Sequence, residues 1–561
     1  MASTPDDIEQ SDLPVIDQER SGRVITMPMI NAMIAAQGPQ PLWPRVRSAI
    51  KRSPIERKFL WVLLVLFLAK AVIFTFVFPP FSGHDEVAHF MYLEFLDDHG
   101  RPPVIPDKEE WQAEYAQSRD QSLHDHMDPK LWQYCNYVTA DWYHGCDEAR
   151  FDLSPVYAIN LGTEVLPSGW VYTANHPPLY YLLMSPVFWL FSGAGLVVKL
   201  YALRLATIPL GLITVFFAYR TTKLIFPRDR FLAMLVPAFV AFQPQISYES
   251  AMLNNDILSI AFTSIIFYLL AVGLRRGFTW RLCVLTGFVF GLAMLSKNTS
   301  TVSGLIIAVA MVLGIGIRNW KVWIPRGALT VGVSGLLIWP WYLYMWTTYG
   351  DLTALSRIQA LQYWNYGGGP GRSVWSQLKD GNFAWWRWKE TWGEFGWRLI
   401  PLDDSLLQVI LAVCVVGLAG VGWWAVQSQL VQRGRLISFR SEHGYFSLPS
   451  VVSLDEPEQT AKVDDIFRPD RVTKFAVLTL VIACLVAYYA ILQFGTTFSL
   501  TQARYFFPSV NAFAILVMLG YRALIPRRLH AYAEAAFLLA FFVLNIVIFS
   551  QYVIPYWNGG L

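Results

Sequence analysis

Charged residues are scarce in this chain. Asp, Glu, Lys and Arg make up only 15% of the 561 residues, whereas a soluble domain carries about 25%. The formal net charge of +3 is too small to indicate binding to nucleic acid. Hydrophobic residues make up 54% of the chain, and several apolar runs approach the length of about 20 residues that crosses a bilayer as a helix. The composition therefore indicates a polytopic membrane protein.

Three further features are missing. The sequence has no Gly-rich GxxxxGK[ST] loop, which argues against ATP-driven transport by this chain alone. It shows no internal repeat, which weakens the case for a transporter built of paired halves. The first 58 residues lack the apolar core of a signal peptide and end in a basic stretch. The first hydrophobic run, 59–78, is therefore predicted to be an uncleaved anchor with a cytoplasmic N-terminus.

The five cysteines fall into two groups. Cys283, Cys414 and Cys484 lie in or beside hydrophobic runs, where cysteine packs as a small apolar residue. Cys135 and Cys146 lie in the first long loop, and a disulfide between them is expected if that loop is extracytoplasmic. The alternative is a pair of free thiols.

The hydrophobic runs predict an all-α polytopic membrane protein with about 11–13 transmembrane helices. The candidate spans are 59–78, 177–198, 203–222, 231–248, 254–273, 282–296, 300–317, 326–348, 405–427, 473–495, 505–524 and 531–553. Two of them, 177–198 and 203–222, lie where the charge pattern requires an odd number of crossings. Because the first begins with Pro177-Pro178 and is interrupted by two glycines, we do not expect it to cross completely.

Basic connections favour the cytoplasmic side and set the predicted topology. These connections are 220–230, 275–281, 318–326, 428–472 and 522–528. The large loops 79–176 and 349–404 then face outward, and we expect them to carry short interfacial helices. The predicted parts are a cytoplasmic tail (1–58), a transmembrane catalytic core (59–427), a polar cytoplasmic linker (428–472) and C-terminal transmembrane helices (473–561).

Polar residues gather at the outward ends of the predicted helices, and they come from segments far apart in the sequence. They are Asp85, Glu86, His89, Asn175, His176, Glu249, Asn254, Asn255, Asp256, Lys297 and Arg504. Acids and bases that meet at one membrane face indicate a site where cations hold a phosphate and a carboxylate accepts a proton.

These residues also have structural interpretations. An acidic pair such as Asp85 and Glu86 is common at a helix N-terminus, where it complements the helix dipole. Asp256 could cap the helix that follows it. Lys297 could extend to the membrane interface, and Arg504 could anchor an aromatic belt.

A metal site is a further hypothesis for the first loop. His89 follows Asp85 by four residues, one turn of a helix, so the pair could bind a divalent ion. A lone histidine at such a position more often packs through a hydrogen bond. The segment HDEVAH is similar to a zinc-protease helix, but the required HExxH is absent because position 85 is aspartate.

Seven short motifs follow one another between about residues 59 and 525. They are Asp85-Glu86, His176-Pro177-Pro178-Leu179-Tyr180, Arg204, Asn254-Asn255-Asp256, Gly291-Leu292-Ala293-Met294-Leu295-Ser296-Lys297, Trp392-Gly393-Glu394-Phe395-Gly396-Trp397 and Arg504-Tyr505-Phe506-Phe507-Pro508. Together they resemble the GT-C superfamily of integral-membrane glycosyltransferases, in particular the branch that contains protein O-mannosyltransferases and the lipid A aminoarabinose transferase.

The resemblance implies a transferase that uses a polyprenyl-phosphate-linked sugar, with its site on the outer face of the membrane. In such families the first-loop acid, here Asp85 or Glu86, is the catalytic base or a metal ligand, and Asp256 matches the second acidic position. The positions that hold the lipid phosphate match Lys297 and Arg504. The predicted substrate-binding residues are His176, Asn255, Lys297, Arg504 and Tyr505, although some relatives have a lysine where this chain has His176.

The sequence thus predicts sugar transfer from a polyprenyl-phosphate donor to a hydroxyl of a glycan, lipid or protein at the plasma membrane. A single displacement would invert the anomeric carbon, and a divalent metal ion could assist. One alternative is a polyprenyl-lipid transporter or flippase, which would more often carry charges within its spans. Another is a non-catalytic assembly factor for envelope polysaccharide.

Overall fold

The computed structural model describes residues 55–105, 171–358, 373–438, 450–453, 463–496 and 502–557. Cys135 and Cys146, the predicted disulfide pair, lie outside these ranges, as do residues 1–54 of the N-terminal tail. The other three cysteines are free thiols in helices, and Cys283 and Cys414 are buried.

Helices make up most of the described chain. In its first part they are α1 (Ile55–Val77), α2 (Glu86–His99), α3 (Leu179–Leu190), α4 (Leu196–Ile225), α5 (Arg230–Phe242), α6 (Pro244–Ala251), α7 (Asp256–Arg276), α8 (Trp280–Ser296), α9 (Ser303–Ile315) and α10 (Trp320–Tyr349). They continue with α11 (Val374–Lys379), α12 (Gly381–Trp392), α13 (Phe395–Arg398), α14 (Asp404–Gln432), α15 (Arg471–Gly495), α16 (Val510–Leu524), α17 (His530–Val547) and α18 (Ile554–Trp557). Short 3-10 helices include Val171–Asn175, Asn298–Val302 and Ala503–Ser509.

Nine helical segments of the described chain are long and apolar enough to span a membrane. Helices α5 and α6 add a tenth if the bent pair is counted as one span. Helix α8, with 17 residues, is at the lower limit for a span, whereas α3, with 12 residues, is about 18 Å long and too short. The predicted all-α polytopic fold is confirmed, although the nine or ten spans in the described chain are fewer than the 11–13 predicted. The short α3 agrees with the expectation that 177–198 does not cross completely.

The segment 428–472, predicted to be a polar linker, contains regular structure. Strands β1 (Arg435–Ser438) and β2 (Ser450–Ser453) pair antiparallel, with the first residue of one opposite the last of the other. Gln427 on α14 donates its side-chain N–H to the Ile437 carbonyl at 2.9 Å and accepts from the Ile437 N–H at 3.1 Å. The hairpin is therefore fixed to the end of α14.

The bend between α5 and α6 follows from a proline. The helices meet at 56°, and Gln243 between them is extended, with φ −63° and ψ 118°, because a residue before proline is disfavoured in the helical region. The Gln243 side chain then caps α6 by accepting the Ile246 N–H at 2.6 Å. The bend places Gln245 and Glu249 of α6 in the interior, where both are buried.

Three ion pairs lie at the end of the helix bundle where the basic connections are found. Arg275, in the last turn of α7, donates to the Asp470 carboxylate. Arg522, near the end of α16, donates to Asp229 at 2.6 Å and to Asp464 at 2.9 Å. We call these five residues the basic-end cluster. Since α7 has 21 residues, its first residue lies about 30 Å away, which matches the thickness of the bilayer core.

Arg204 ties the first loop to the bundle. It lies in α4 and is fully buried, and all five of its N–H groups have acceptors. Nε and Nη2 donate to Glu86 at 2.8 and 2.5 Å. The remaining donors reach the carbonyls of Thr75, Phe78 and Pro79 at 2.8 to 3.0 Å. The guanidinium thus satisfies carbonyl groups at the end of α1 that lack helical partners.

Helices α14 and α16 approach each other at glycines. A Cβ atom on Gly420 would lie 2.5 Å from the Gly520 carbonyl oxygen, and one on Gly520 would overlap the Gly417 carbonyl. Small residues at such crossings allow membrane helices to pack backbone against backbone. The crossing lies near the end of α16, two residues before Arg522 of the basic-end cluster.

We expect Gly420→Val to lower the free energy of unfolding by about 1–3 kcal/mol, because the added side chain forces α14 and α16 apart. Gly422→Val is the matched control, since a Cβ at Gly422 meets no atom within 4 Å. Thermal unfolding in detergent would measure both variants, and equal stability of the two would contradict the close packing described.

Candidate functional site

Asp85 directs its carboxylate away from the helix that it precedes. Its backbone is left-handed, with φ 58°, a conformation that aspartate adopts more readily than most residues. The side chain makes no capping hydrogen bond to α2. It accepts instead from Arg504 Nη2, 419 residues later in the sequence. The Asp85 carboxylate therefore belongs to an interior cluster of charged side chains.

Asp256 and Lys297 complete this cluster. Lys297 Nζ donates to Asp256 Oδ1, and Arg504 Nη1 lies 3.4 Å from Asp256 Oδ2. Asp85, Asp256, Lys297 and Arg504 are each no more than 7% exposed, and we call them the charge cluster. Its two carboxylates and two cations balance, which lowers the cost of burying them.

Two predicted substrate-binding residues support Lys297. Asn255 donates to the Ser296 carbonyl at 3.1 Å, which joins the start of α7 to the end of α8. The Tyr505 ring lies 4.9 Å from Lys297 Nζ, within the range of a cation–π contact. Burial lowers the pKa of the Lys297 ammonium, and the charge of Asp256 opposes that effect.

Several polar atoms of the charge cluster make no hydrogen bond within the described part of the chain. Asn254 caps α7 by accepting the Ile257 N–H at 3.2 Å, so Asp256 is not needed for that task. Within the described ranges, Asp256 Oδ2 and Arg504 Nε and Nη1 have no hydrogen-bond partner. A buried guanidinium with spare donors is suited to bind the oxygens of a phosphate.

Glu86 does not join the charge cluster. Its Oε1 accepts from Arg204 Nε and from the Leu253 N–H, both at 2.8 Å. Its Oε2 accepts from Arg204 Nη2 at 2.5 Å and from the Gly83 N–H at 2.9 Å. A carboxylate with four donors has no lone pair left for a substrate. This geometry does not support the predicted catalytic role and indicates that Glu86 positions the loop that carries Asp85.

His89 and His176 share a hydroxyl group. The Tyr181 oxygen lies 2.8 Å from His89 Nδ1 and 3.3 Å from His176 Nδ1. Burial lowers the pKa of both imidazoles, that of His89 to about 3. Both rings are therefore neutral at pH 7, so His176 contributes no positive charge to phosphate binding.

The predicted metal pair has other partners. His89 bonds with Tyr181, and Asp85 accepts from Arg504, so an ion bound by both would have to replace these contacts. In the part of the chain that the structure describes, no group of three or more His, Cys, Asp or Glu residues could hold a metal ion. The metal-binding role of Asp85 and His89 stays a prediction.

A pocket with acidic walls shares Arg504 with the charge cluster. It is lined by His84, Gln245, Glu249, Glu390, Glu394, Gln502, Ala503, Arg504 and Phe507, and we call it the acidic pocket. Glu249 was expected among the polar residues at the outward face and Glu394 lies in one of the seven motifs, but the sequence indicated no specific role for either. One signal was present, since Gln245 and Glu249 are four residues apart and lie on one face of a helix. Glu390 gave no such signal, because only the fold brings it to the Ala503 N–H.

One protein family matches part of the sequence. Residues 175–344, which include Asp256 and Lys297, match the family model for dolichyl-phosphate-mannose-protein mannosyltransferase. Over these residues the match agrees with the resemblance to protein O-mannosyltransferases. No protein of curated function matches the sequence.

Two solved structures resemble the fold at low sequence identity. ArnT from Cupriavidus metallidurans bound to undecaprenyl phosphate is 14% identical, with a TM-score of 0.36, and the match covers 88% of this chain and 73% of ArnT. The archaeal oligosaccharyltransferase AglB from Archaeoglobus fulgidus, in complex with an inhibitory peptide and a dolichol-phosphate, is 13% identical, with a TM-score of 0.41. That match covers 91% of this chain and 56% of AglB.

Glu86→Gln should destabilise the protein by about 3–5 kcal/mol, because Arg204 would remain buried without a negative partner. Glu534→Gln is the control, since Arg230, the partner of Glu534, has a half-exposed side chain and can be solvated. The free energy of unfolding in detergent would distinguish the two. If Glu86→Gln lowered the free energy of unfolding no more than the control does, the first loop would not depend on this ion pair.

Acid should destabilise the protein through His89. The imidazole has a pKa of about 3 when folded and about 6.5 when unfolded, so below pH 6.5 the unfolded state binds the extra proton. The contribution of His89 to the free energy of unfolding is fully present above pH 6.5 and falls as the pH is lowered toward 3. The loss from this group is about 2 kcal/mol at pH 5.

His89→Gln tests this pH dependence, because glutamine can bond with Tyr181 but does not titrate. Unfolding at pH 7.5 and pH 5 should show a smaller difference in this variant than in the wild type. His99→Gln replaces an exposed histidine and should behave as the wild type does. An unchanged acid sensitivity in His89→Gln would refute the assignment.

Proposed function

We propose that this protein is a GT-C-type glycosyltransferase that moves a sugar from a polyprenyl-phosphate donor to an acceptor hydroxyl on the extracytoplasmic side. The observation that carries the proposal is the convergence of Asp85, Asp256, Lys297 and Arg504 in one buried cluster. They come from four segments far apart in sequence, and each lies at or beside a helix end. The family match over residues 175–344 supports the same class of enzyme.

The charge cluster suits the binding of a lipid phosphate. Two nitrogens of Arg504, Nε and Nη1, make no hydrogen bond among the described residues, and Lys297 adds a second cation. A phosphate oxygen between them would compete with the carboxylates for these donors. Asp85 would then give up a hydrogen bond to Arg504 and become available to an acceptor hydroxyl.

The proposed reaction is a single displacement. The acceptor oxygen bonds to the anomeric carbon while the bond from that carbon to the phosphate oxygen breaks, which inverts the configuration. Asp85 takes the hydroxyl proton as general base. Lys297 and Arg504 stabilise the charge that develops on the departing polyprenyl phosphate. Asp256 holds Lys297 in place through its hydrogen bond.

The charge distribution supports an extracytoplasmic site. Basic connections favour the cytoplasm, and Arg275 of the basic-end cluster lies in the last turn of α7. Asp256 of the charge cluster is the first residue of the same helix. One helix of bilayer length therefore separates the basic end from the candidate site.

Asp85→Asn should reduce sugar transfer by about 10²–10⁴-fold, because the variant loses its general base. The assay uses full-length protein in lipid vesicles, radiolabelled polyprenyl-phosphate hexose or pentose donors, and membrane extracts as acceptors. Glu534→Gln is the matched control, since it changes a buried carboxylate outside the site, and it should retain transfer. A chelator added to the wild type would separate a base from a metal ligand.

Each outcome has a defined consequence. Transfer that survives in folded Asp85→Asn would assign the base to Asp256 instead. Absence of transfer from every donor, in wild-type protein that remains folded, would refute the transferase proposal. Movement of labelled lipid across the vesicle bilayer would then favour the transporter alternative.

A further inference from the structure

The loop that carries Asp85 contains two residues in the left-handed backbone conformation. Phe81 has φ 62° and Asp85 has φ 58°. For a bulky residue such as phenylalanine this conformation is uncommon and costs free energy. A strained backbone persists only where neighbouring groups hold it in place. We call residues 81–85 the Asp85 turn, and the position of its carboxylate depends on the contacts that restrain it.

A second turn of this kind lies between α12 and α13. Glu394 has φ 59°, and Gly396 has φ 60°. We call residues 393–396 the Glu394 turn. Glu394 is 4% exposed and lines the acidic pocket together with Arg504, and Arg504 also donates to Asp85. Two left-handed turns, each with a carboxylate, therefore lie beside the same guanidinium.

The hydroxyl group of Tyr248 joins the two turns. It donates to the Ser82 carbonyl at 2.8 Å and accepts the Gly396 N–H at 3.1 Å. Tyr248 is fully buried. If the hydroxyl were lost, both backbone groups would lose this partner in the interior of the protein, where an unsatisfied polar group is costly. One oxygen atom thus restrains both turns.

The ring of Tyr248 is held independently of its hydroxyl. The rings of Phe78, His84 and Phe395 have centroids 4.9, 5.3 and 5.5 Å from that of Tyr248, within the range of favourable aromatic contacts. These contacts remain when the hydroxyl is removed. Tyr248→Phe therefore takes away the two hydrogen bonds and keeps the packing of the ring.

Helix α6 holds each turn at one further point. Glu249 Oε1 lies 3.2 Å from Nδ1 of His84 in the Asp85 turn. On the other side, Gln245 donates its side-chain N–H to the carbonyl of Gly393 in the Glu394 turn. All eight residues of α6 are buried. The helix is therefore a platform between the two turns, and of these three side chains Tyr248 is the one that bonds to both.

Resting on the proposed transferase function, we propose that Tyr248 is a positioning residue for the general base Asp85. Its bond to the Ser82 carbonyl keeps the Asp85 turn in the left-handed form. Its bond to Gly396 ties that turn to the Glu394 turn. The hydroxyl acts through the backbone and not on the substrate. Without it the Asp85 turn relaxes, and a displacement of about 1 Å can cost about 10²-fold in rate.

Tyr248→Phe should lower kcat for sugar transfer about 10²-fold and leave KM for the donor nearly unchanged, because Lys297 and Arg504 still hold the phosphate. Tyr521→Phe is the matched control, since the Tyr521 hydroxyl also donates to a backbone carbonyl, that of Val413 at 2.8 Å, away from the site. Rates are divided by the amount of protein that binds polyprenyl phosphate, so that unfolded protein is not counted.

A double variant separates positioning of Asp85 from a general loss of structure. If Tyr248 acts through Asp85, Tyr248→Phe should reduce transfer little further in a protein that already carries Asp85→Asn. Independent effects of the two substitutions would multiply instead, and that result would overturn the inference.

Hydrogen–deuterium exchange tests the two bonds without any measurement of transfer. In Tyr248→Phe, the backbone amides of the Asp85 turn and of Gly396 should exchange about tenfold faster than in the wild type, whereas Tyr521→Phe should leave both unchanged. Wild-type exchange at both turns, or wild-type kcat, in folded Tyr248→Phe would overturn the inference. Absence of transfer from every donor in the wild type would instead refute the proposed function, and the positioning of a general base with it, whatever the exchange shows.

Discussion

The ion pair between Arg204 and Glu86 lies where no water can compensate a missing hydrogen bond. Each N–H of the guanidinium and each oxygen of the carboxylate is therefore matched by a protein group. Such a pair adds little net stability but is costly to break. Its effect is geometric, because it fixes the end of α1, the loop that follows and the start of α2. Asp85 owes its position in the charge cluster to this arrangement.

The charge cluster has the opposite character, since its partners are incomplete. Asp85 and Asp256 neutralise Arg504 and Lys297 in the absence of substrate, yet some polar atoms of the group lack hydrogen bonds. An arrangement that is balanced in charge but incomplete in hydrogen bonds can be buried without ligand and can still gain from binding an anion. The two clusters explain why adjacent acids in one motif have different roles, one structural and one proposed to be chemical.

The sequence predicted most of the helices, because a run of about 20 apolar residues leaves few alternatives to a spanning helix. It also placed Asp85, Asp256, Lys297 and Arg504 at one membrane face, and the structure brings these four together. It could not separate Asp85 from Glu86, since the distinction depends on the left-handed backbone at Asp85 and on the distant Arg204. The β1–β2 hairpin and the acidic pocket were missed because long-range contacts create them.

The 3-10 helix Ala503–Ser509 carries Arg504 between the acidic pocket and the charge cluster. Glu390 holds its first residue from the pocket side, and Asp85 holds Arg504 from the cluster side. A segment held from two sides has little freedom to move, so Arg504 would meet a donor phosphate in a position that is already fixed. The geometry of the proposed displacement is therefore set before the donor binds.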